Sequence, residues 1–422
     1  MGNEAMKVMN IVGARPNFVK VAPLLAEMRK QPGFRPILVH TGQHYDPAMS
    51  DFFFRDLDIP RPDINLGVGP GSHAGQTAEI MRRLEPVMIE EAPDIVLVVG
   101  DVNSTLAGAL TAVKQGIPVA HVEAGLRSFD WSMPEEINRI VTDAVADLFF
   151  ATEPSGVENL LKEGRPRSHI FLVGNVMIDT LKRFLGVARR TPAQADWGLS
   201  KGDGSGEHKR YAVLTLHRPG TVDDPKAFRK VWEPLQEIAN QIPIIFPVHP
   251  RTQQRLKEAG FKNPSTRAAN ASRGIRMIPP LGYLEFLRLQ QQASLVITDS
   301  GGIQEETTVL GVPCLTVREN TERPITVSEG TNTVVGLDPE RIREEARRVL
   351  SGKGKHGRLP RLWDGHAAER IVKILHDFLE SGLGRRRSPR GNAVAATRSP
   401  RQILGARRSA HARGSAPTRR TE

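Results

Sequence analysis

Short apolar runs alternate with longer segments of helical periodicity along most of the chain. The runs are apolar on both faces and end in small or polar residues, which is typical of strands buried on both sides of a parallel sheet. In the first part of the chain they read KVMNIVGA, PILVHTG, DIVLVVGD, PVAHVEAG, DLFFATE and IFLVGN. The segments between them are long enough for crossover helices. This pattern predicts a parallel α/β domain over residues 1–190.

Periodicity is lost over residues 191–209, where TPAQADWGLSKGDGSGEHK is rich in Gly, Asp and Ser, and we interpret this stretch as a linker. A second series then reads YAVLTLH, IPIIFPVH, IRMIPP, SLVITDS, VPCLTV and NTVVG, which predicts a second domain over residues 210–365. The helical segment HAAERIVKILHDFLE, within residues 366–384, is expected to pack back on the first domain. The predicted fold class is α/β, with two Rossmann-like doubly wound domains and a ligand in the central cleft.

Composition supports two domains and places the charge at one end of the chain. The 422 residues are 39% apolar, which is enough for two cores. Of the formal charge of +11, +10 comes from eleven arginines and one acid that lie from Arg385 onward. The remaining body is nearly neutral, and we expect it to bind no nucleic acid. The tail over residues 385–422 has little to bury and is predicted to be disordered; weak binding to nucleic acid or anionic membrane is the alternative to a solvated tail.

Cysteine use and hydropathy bound the class further. Cys314, the one cysteine of the sequence, stands in the apolar run VPCLTV, where a buried and inert thiol is expected. No apolar run approaches the ~20 residues of a membrane span. The first residues also lack a basic segment followed by an apolar stretch. We therefore expect a cytoplasmic protein that does not associate with membranes.

Polar residues stand at or just beyond the ends of many apolar runs. Each of them alone is a usual strand-end residue, but so many together favour a functional site, because strand ends carry the ligand in open α/β sheets. They are Arg15, His44, Asp101, Glu123, His217, His249, Asp299 and Ser300.

The stretch DSGGIQEE favours an anion site. A buried strand ends at Asp299, two glycines follow, and a helix begins whose unpaired N–H groups suit a phosphate. Glu305 and Glu306 are then expected in the first turn of that helix, where acids favour the helix dipole. One glutamate of the pair is alternatively placed to bind two hydroxyls of a ribose.

Cations elsewhere complete a predicted diphosphate site. Arg15 and Lys20 in GARPNFVK stand near the start of a helix, and Arg323 stands in ENTERP; together they would neutralise a diphosphate, although either arginine is equally explained as a surface ion-pair member. Neither G-x-G-x-x-G after the first strand nor G-x-x-x-x-G-K-[ST] occurs, and H-E-x-x-H is absent. We predict no cofactor and no metal.

Three carboxylates remain for proton transfer: Asp101 in GDVNST, Glu123 in HVEAGLR and Glu135 in MPEEINR. Each also has a structural explanation. Asp101 would cap the following helix, Glu123 would pair with Arg127, and Glu135 would favour the dipole of a helix that starts at Pro134.

The chain resembles the non-hydrolysing UDP-N-acetylglucosamine 2-epimerases over about residues 7–380, in these motifs: GDVNSTLAGALTAVKQGIPVAHVEAGLRSFDWSMPEEINRIVTDAVADLFFATE, GARPNFVKVAPL, LTLHRP, FPVHPR and TDSGGIQEET...GVPCLTVRENTERP. The resemblance implies the GT-B-like arrangement that is shared with glycogen-phosphorylase-type glycosyltransferases. It also implies a homodimer that interconverts UDP-GlcNAc and UDP-ManNAc and supplies ManNAc-type sugars for cell-surface polysaccharide. The reaction is anti elimination of UDP to 2-acetamidoglucal, followed by re-addition.

The resemblance further implies two groups of site residues. Those that transfer protons, stabilise the oxocarbenium ion or assist the leaving group are Asp101, Glu123, Glu135 and His217. Those that bind the substrate are Arg15, Lys20, Arg139, Phe286, Ser300, Gly301, Gly302, Glu306 and Arg323. Within the second group, the residues from Ser300 to Gly302 and Arg323 hold phosphate, Glu306 holds the ribose hydroxyls, and Phe286 in YLEF lies beside the uracil.

Two departures and several alternatives accompany the resemblance. PGT follows Arg218, and Tyr45 and Asp46 follow TGQH; both stretches differ from the family members that bind a second, allosteric UDP-GlcNAc, so allosteric activation is not expected. The alternatives are a 2-epimerase of another UDP-2-acetamido sugar, such as a 2,3-diacetamido uronic acid, a relative that hydrolyses the substrate, a glycosyltransferase of the same fold, and a non-catalytic sensor.

Overall fold

The computed structural model describes residues 5–43, 56–190, 199, 210–218, 222, 224–248, 250–258, 260 and 274–382. The predicted linker, apart from Leu199, and the predicted disordered tail lie outside the described residues. The predicted domain boundaries stay predictions.

The first half contains a parallel sheet in the order β3-β2-β1-β4-β5-β6-β7. Its strands are β1 (Met6–Val12), β2 (Phe34–His40), β3 (Ile64–Asn65), β4 (Ile95–Val99), β5 (Val119–Val122), β6 (Leu148–Ala151) and β7 (Ile170–Leu172). Its helices are α1 (Arg15–Arg29), α2 (His73–Glu91), α3 (Asn103–Lys114), α4 (Pro134–Val145), α5 (Pro154–Lys162) and α6 (Val176–Arg190), with a 3-10 turn over Arg167–His169.

The second half repeats this topology in a sheet of order β10-β9-β8-β11-β12-β13, again parallel. Its strands are β8 (Ala212–Thr215), β9 (Ile244–Pro247), β10 (Ile275–Ile278), β11 (Leu295–Thr298), β12 (Cys314–Thr316) and β13 (Asn332–Val334). The helices are α7 (Pro225–Ala239), α8 (Pro250–Glu258), α9 (Tyr283–Gln291), α10 (Gly301–Leu310), α11 (Pro324–Ser328), α12 (Pro339–Leu350) and α13 (Ala367–Glu380).

The α/β fold class and the two Rossmann-like halves predicted from the sequence are confirmed. Each apolar run that was interpreted as a strand contains one. The strands lie in the sheets with both faces covered; all five residues of β4, for example, are buried, as parallel strands between two helix layers should be. The two-residue strand β3 was not predicted, because Ile64–Asn65 is too short to give a pattern.

Helix α13 returns from the second half to the first. Its residues Ala367, Ile371 and Leu375 are fully buried in a cluster that contains residues of β1 and α1, such as Val8 and Leu24. Burial of these three side chains stabilises the folded state by several kcal/mol, at roughly 25 cal/mol per Å² of apolar surface removed from water. The core of the first half is therefore completed by a helix from the end of the described part of the chain.

The halves contact each other around α6. Leu181 and Phe184 of α6 belong to the same buried cluster as Tyr283 and Leu287 of α9. Trp363 is fully buried and donates a hydrogen bond from Nε1 to the Thr152 carbonyl (3.1 Å). Both halves belong to one compact unit. Among the described residues, no helix is long and apolar enough to cross a membrane.

Each sheet has a topological switch point, where successive strands stop being added on one side of the first strand and begin to be added on the other. In the first half it lies between β1 and β4, and in the second between β8 and β11. Doubly wound sheets bind ligands in the crevice outside the carboxyl ends of these two strands. The turns after β1, β4, β8 and β11 are therefore the ones from which a site is built.

Candidate active site

A cavity of about 800 Å³ lies between the two halves. Its first-half wall includes Glu135 and Asn138 of α4, and its second-half wall includes His217, Arg218 and Arg318. The volume lies within the range of pockets that enclose small-molecule ligands. Of the predicted catalytic residues, Glu135 and His217 line this cavity, and Asp101 adjoins it through its neighbour Val102.

Asp101 follows β4 and faces a cation. Its carboxylate forms an ion pair with Arg139 of α4, and Asn138 donates a hydrogen bond to its carbonyl (2.9 Å). Burial raises the pKa of the Asp101 carboxyl, but Arg139, Lys20 and Arg323 outweigh burial and hold that pKa below its usual range. The residue before α3 is Val102, without a side-chain cap, so the capping explanation of Asp101 is wrong.

Glu123 follows β5 in a backbone conformation that is rare for a non-glycine residue. Its φ is 76°, a left-handed conformation that costs about 1–3 kcal/mol and persists where the surroundings impose it. The buried carboxylate forms ion pairs with Lys20 of α1 and Arg323 of the second half. Arg127 pairs with Asp143 and Glu163 instead, so the predicted Glu123–Arg127 alternative is wrong.

Arg323 is the cation that joins the halves. Its guanidinium is buried and contacts Glu123, Glu305 (Nε to Oε1, 2.8 Å) and Glu322 (Nη1 to Oε1, 3.0 Å). Burial disfavours its charge, but Glu305, Glu123 and Glu322 outweigh burial and raise its pKa. Arg323 is thus a buried, permanently charged group at the junction of the two sheets.

Glu135 and Glu136 are neighbours in the first turn of α4 with different surroundings. Glu136 is buried; it accepts hydrogen bonds from the Ser128 and Phe129 amides (3.0 and 2.9 Å) and from Arg139. Glu135 is partly exposed and lines the cavity. Glu136 thus shapes the loop before α4, and Glu135 is accessible to a ligand.

His217 follows β8 and is held by Asp299, which follows β11. His217 Nδ1 lies 2.8 Å from Asp299 Oδ1, and the His217 side chain is 58% exposed. Asp299 also accepts the backbone N–H groups of His217 and Arg218 (each 2.9 Å). Burial raises the pKa of Asp299, but His217 and the N–H donors outweigh burial and keep it below its usual range. A hydrogen bond at Nδ1 directs Nε2 outward.

The two glycines at the start of α10 have different structural reasons. Ser300 is the residue before the helix and makes no capping bond with its side chain. A Cβ on Gly301 would lie 2.7 Å from Arg323 Nη1, and one on Gly302 would lie 3.0 Å from Met177 Cε. Gly301 is therefore needed where Arg323 packs against the helix start. The free N–H groups of the first helical turn remain suited to an anion.

Glu305 and Glu306 lie in the second turn of α10 and not in the first as expected. Both side chains are buried, and burial raises the pKa of each to about 7. Glu306 accepts a hydrogen bond from Gln290 of α9 (2.7 Å). Phe286, also on α9, is partly buried and packs against the same cluster as Ile303 of α10. These residues form a second group, on the α9 side of α10.

Glu322 was not singled out from the sequence. It is buried and contacts Arg218 (3.3 Å), Arg318 (2.8 Å) and Arg323. Burial raises its pKa, but the three arginines outweigh burial and lower it. The sequence contained a signal, since Glu322 directly precedes Arg323 in ENTERP. An acid next to a predicted phosphate-binding arginine nevertheless looks unfavourable for an anion site, unless its other cationic partners are known.

Some predicted residues contribute no observed contact. His44 and His249 lie outside the described residues, as do Tyr45, Asp46 and the PGT stretch, so the expectation about allosteric activation stays a prediction. Arg15 begins α1, but its side chain lies outside the described part of the chain.

Cys314 is fully buried, and burial raises its pKa to about 12, as expected for an inert thiol. Within the described residues, no three His, Cys, Asp or Glu side chains are grouped as metal ligands.

Two Rossmann-like halves with carboxylates at one switch point and a helix N-terminus at the other define a GT-B-like enzyme for nucleotide sugars. Residues 26–376 match the UDP-N-acetylglucosamine 2-epimerase family. The chain belongs to this family and is an isomerase by class.

Individual relatives cover most of the chain. The UDP-N-acetylglucosamine 2-epimerase of Methanococcus maripaludis is 41% identical over 87% of this chain and 98% of its own length. The UDP-2,3-diacetamido-2,3-dideoxy-D-glucuronate 2-epimerase of Pseudomonas aeruginosa is also 41% identical, over 88% of this chain and 99% of its own length. The crystal structure of Methanocaldococcus jannaschii UDP-GlcNAc 2-epimerase in complex with UDP-GlcNAc and UDP superposes with a TM-score of 0.80 and 41% identity, over 88% of this chain and 100% of that one.

Proposed function

We propose that the protein is a non-hydrolysing UDP-N-acetylglucosamine 2-epimerase that interconverts UDP-GlcNAc and UDP-ManNAc. The observation that carries the proposal is the cavity between the halves, with Glu135 on one wall and His217 on the other. The ion-paired Asp101 adjoins this cavity through Val102, and the buried Glu123 pairs with Lys20 and Arg323. An elimination of UDP needs carboxylates at the sugar and cations at the diphosphate, and the two halves offer these groups from opposite sides.

The chemistry explains why elimination is the route. The C2 proton of the sugar has no adjacent carbonyl, so simple deprotonation is out of reach. A base removes that proton while the C1–O bond to UDP breaks. The electrons of the C2–H bond form the C1=C2 double bond of 2-acetamidoglucal, and those of the C1–O bond leave with UDP. Re-addition places a proton on the opposite face of C2 and reforms the C1–O bond. Two proton transfers and one leaving group balance the reaction.

Asp101, Glu123 and Glu135 are assigned to proton transfer and to stabilisation of the oxocarbenium-like transition state. The lowered pKa of Asp101 keeps this carboxylate ionised at neutral pH, which suits a group that stabilises positive charge at C1 or accepts a proton. Arg139 orients Asp101 through their ion pair, so it lies beside the sugar in this proposal.

The diphosphate is assigned to the junction of the halves. Lys20, Arg323 and His217, together with the N–H groups from Ser300 to Gly302, supply donors and positive charge, and Arg15 is added by resemblance. Diphosphate oxygens would compete with Glu123 for Arg323, because Glu123 and Arg323 form an ion pair in this structure. This competition would loosen the hold on Glu123 when UDP is bound.

Glu306 and Phe286 are assigned to the nucleoside. Both lie on the α9 side of α10, beyond the helix start to which the phosphates are assigned. In this proposal Glu306 accepts the ribose hydroxyls and Phe286 borders the uracil.

A second candidate substrate is a UDP-2,3-diacetamido uronic acid, the sugar named for the Pseudomonas aeruginosa relative. Arg218 and Arg318 line the cavity wall, where a sugar carboxylate would find cationic partners. Comparison of kcat/KM for the two UDP-sugars, in wild type and in Arg318→Gln, separates the candidates. A selective loss with the uronic acid favours it; equal losses favour UDP-GlcNAc.

The function is tested by proton NMR of the purified protein with UDP-GlcNAc in deuterated water, without added cofactor or metal. We expect an equilibrium mixture with UDP-ManNAc and deuterium at C2 of both sugars. Free ManNAc with UDP would mean that water captures the intermediate, and the non-hydrolysing assignment would be wrong. An unchanged spectrum with UDP-GlcNAc but epimerisation of the uronic acid would establish the second candidate.

The homodimer and the cytoplasmic location also stay predictions. Size-exclusion chromatography with light scattering measures the first directly, and a mass of one chain at micromolar concentration would contradict it. Fractionation of the producing cells tests the second.

A further inference from the structure

His121 is a fully buried histidine that the proposed chemistry does not use. It lies on β5, two residues before Glu123. Its Nδ1 lies 2.6 Å from Asp143 Oδ1 and its Nε2 lies 2.8 Å from the Gly100 carbonyl oxygen. The ring therefore spans the space between α4 and the turn that follows β4.

Both ring nitrogens face acceptors. A carbonyl oxygen only accepts, so Nε2 carries a hydrogen and donates it to Gly100. Burial raises the pKa of Asp143, but His121 and Arg127 outweigh burial and keep that pKa below its usual range. The ring therefore donates from Nε2 to the Gly100 carbonyl oxygen, while its Nδ1 stays in hydrogen-bond contact with Asp143.

Asp143 is itself anchored, which fixes the ring from behind. Arg127 Nη2 donates to Asp143 Oδ2 (2.7 Å), and the Gly125 N–H donates to the same oxygen (3.0 Å). Both contacts are buried, where an ion pair with complete partners is rigid. His121 thus has a fixed position from which to hold Gly100.

Gly100 is the residue to which Asp101 is bonded. Its φ is 69°, and an added Cβ would lie 2.9 Å from Lys20 Nζ, so glycine is needed there. The peptide between Gly100 and Asp101 is planar. A hydrogen bond to its carbonyl oxygen consequently fixes the plane from which the Asp101 side chain projects. Asn138 holds the next carbonyl, that of Asp101 itself.

We propose that His121 is a positioning residue for Asp101: through the Gly100 carbonyl it sets the place and direction of the carboxylate in the epimerisation. The inference rests on the proposed function and extends it, because His121 is fully buried and is not among the residues that line the cavity. Its effect on catalysis passes through the Gly100–Asp101 peptide.

Two variants at this position separate its two contacts. An asparagine amide nitrogen occupies the place of Nδ1, so His121→Asn keeps the contact to Asp143 and loses that to Gly100. A glutamine amide nitrogen reaches the place of Nε2, so His121→Gln keeps the contact to Gly100. We expect kcat to fall about 100-fold in His121→Asn, as for a displacement of about 1 Å, with KM and UDP affinity within threefold. His121→Gln should lose less than tenfold.

A double-variant cycle distinguishes positioning from a general loss of structure. If His121 acts through Asp101, His121→Asn combined with Asp101→Asn should be no slower than Asp101→Asn alone, because the group that is positioned has already lost its function. Rates are expressed per folded protein from circular dichroism. Losses that multiply in the double variant, or equal kcat losses in the Asn and Gln variants, would overturn the inference.

The wild-type protein provides a check that needs no substitution. Nitrogen NMR of the histidine-labelled chain should show a hydrogen on Nε2 of His121, and a ring that carries its one hydrogen on Nδ1 would contradict the contact to Gly100. An active wild type with a fully active His121→Asn overturns this inference alone. A wild type without activity on either UDP-sugar overturns the proposed function and this inference with it.

Discussion

Asp101 follows β4 in the first half, and Asp299 follows β11 in the second; these strands have equivalent places in the two sheets. Both carboxylates have pKa values held below the usual range against the effect of burial. Asp101 forms its ion pair with Arg139 and keeps 23% of its side chain exposed. Asp299 is fully buried and accepts two backbone N–H groups and the His217 ring.

The difference teaches that topology repeats a position while the partners decide what the residue there does. A carboxylate held by one arginine at a cavity keeps lone pairs for a substrate. One that is surrounded by backbone donors has its acceptor capacity filled and serves to orient its neighbour. In our proposal the first half therefore carries the proton chemistry, and the second half, with Lys20 of the first, holds the leaving group.

The largest effect should come from Asp101→Asn. The amide keeps the shape of the side chain but loses its charge and basicity, and we expect kcat to fall about a thousandfold, within the range that general acid–base groups contribute. UDP affinity, measured by calorimetry, should stay within threefold because Asp101 is assigned to the sugar and not to the diphosphate. Full turnover in this variant would remove Asp101 from the chemistry and end the contrast with Asp299.

Next in size is the stability effect of Arg323→Met, which breaks the link between the halves. Removal of this cation leaves Glu123, Glu305 and Glu322 buried together, and the loss of one partner of a buried ion pair costs about 3–5 kcal/mol. Chemical denaturation should give a loss near 3 kcal/mol, since Glu123 keeps Lys20 as partner. Arg343→Met, which removes surface ion pairs, is the control and should leave the free energy of unfolding nearly unchanged.

A smaller effect concerns the pH dependence of stability through Glu306. Its pKa is raised by burial to about 7, above that of an unfolded glutamate, so the folded state binds the proton more tightly. The contribution is fully present below about pH 4.5 and is lost as pH rises through 7. Glu306→Gln should therefore gain about 2 kcal/mol relative to wild type between pH 5 and pH 8 in urea unfolding, whereas Glu344→Gln, at an exposed position, should gain nothing.

The smallest effect should come from Asp299→Asn. One amide oxygen can still accept from the backbone, but the negative charge beside the His217 ring is lost and that ring is less firmly oriented. We expect UDP binding to weaken about tenfold, or about 1.4 kcal/mol, with kcat changed by only a few-fold. A thousandfold loss of kcat would place the second half in the proton chemistry and erase the difference between the two aspartates.

Much of the fold followed from the sequence because strands buried on both faces are continuous apolar runs, whereas β3, with two residues, gives no run. The position of each polar residue after a strand was also readable. The contacts of each polar residue could not be predicted in the same way. Arg127 pairs with Asp143, and Glu123 pairs instead with one cation of α1 and one of the second half. Such contacts depend on elements that are distant in sequence.

Helix phase and close packing set the other limits. Two adjacent acids at the start of α4 look equivalent in sequence, but a rotation of about 100° per residue turns Glu136 inward and Glu135 to the cavity. Gly301 was expected to admit a phosphate, and the nearest atom to its missing Cβ is in Arg323. Sequence predicts that a glycine is needed there more readily than it predicts which neighbour needs it.

The return of α13 to the first half has a consequence for folding during synthesis. The large core cluster of the second half is built from residues between Ala212 and Val349, whereas that of the first half waits for Ala367, Ile371 and Leu375. At ~5–20 residues per second, translation from α6 to α13 takes roughly 10–35 seconds. During that interval the nascent first half exposes the apolar surface that α13 later covers, and exposed surface of this kind promotes aggregation.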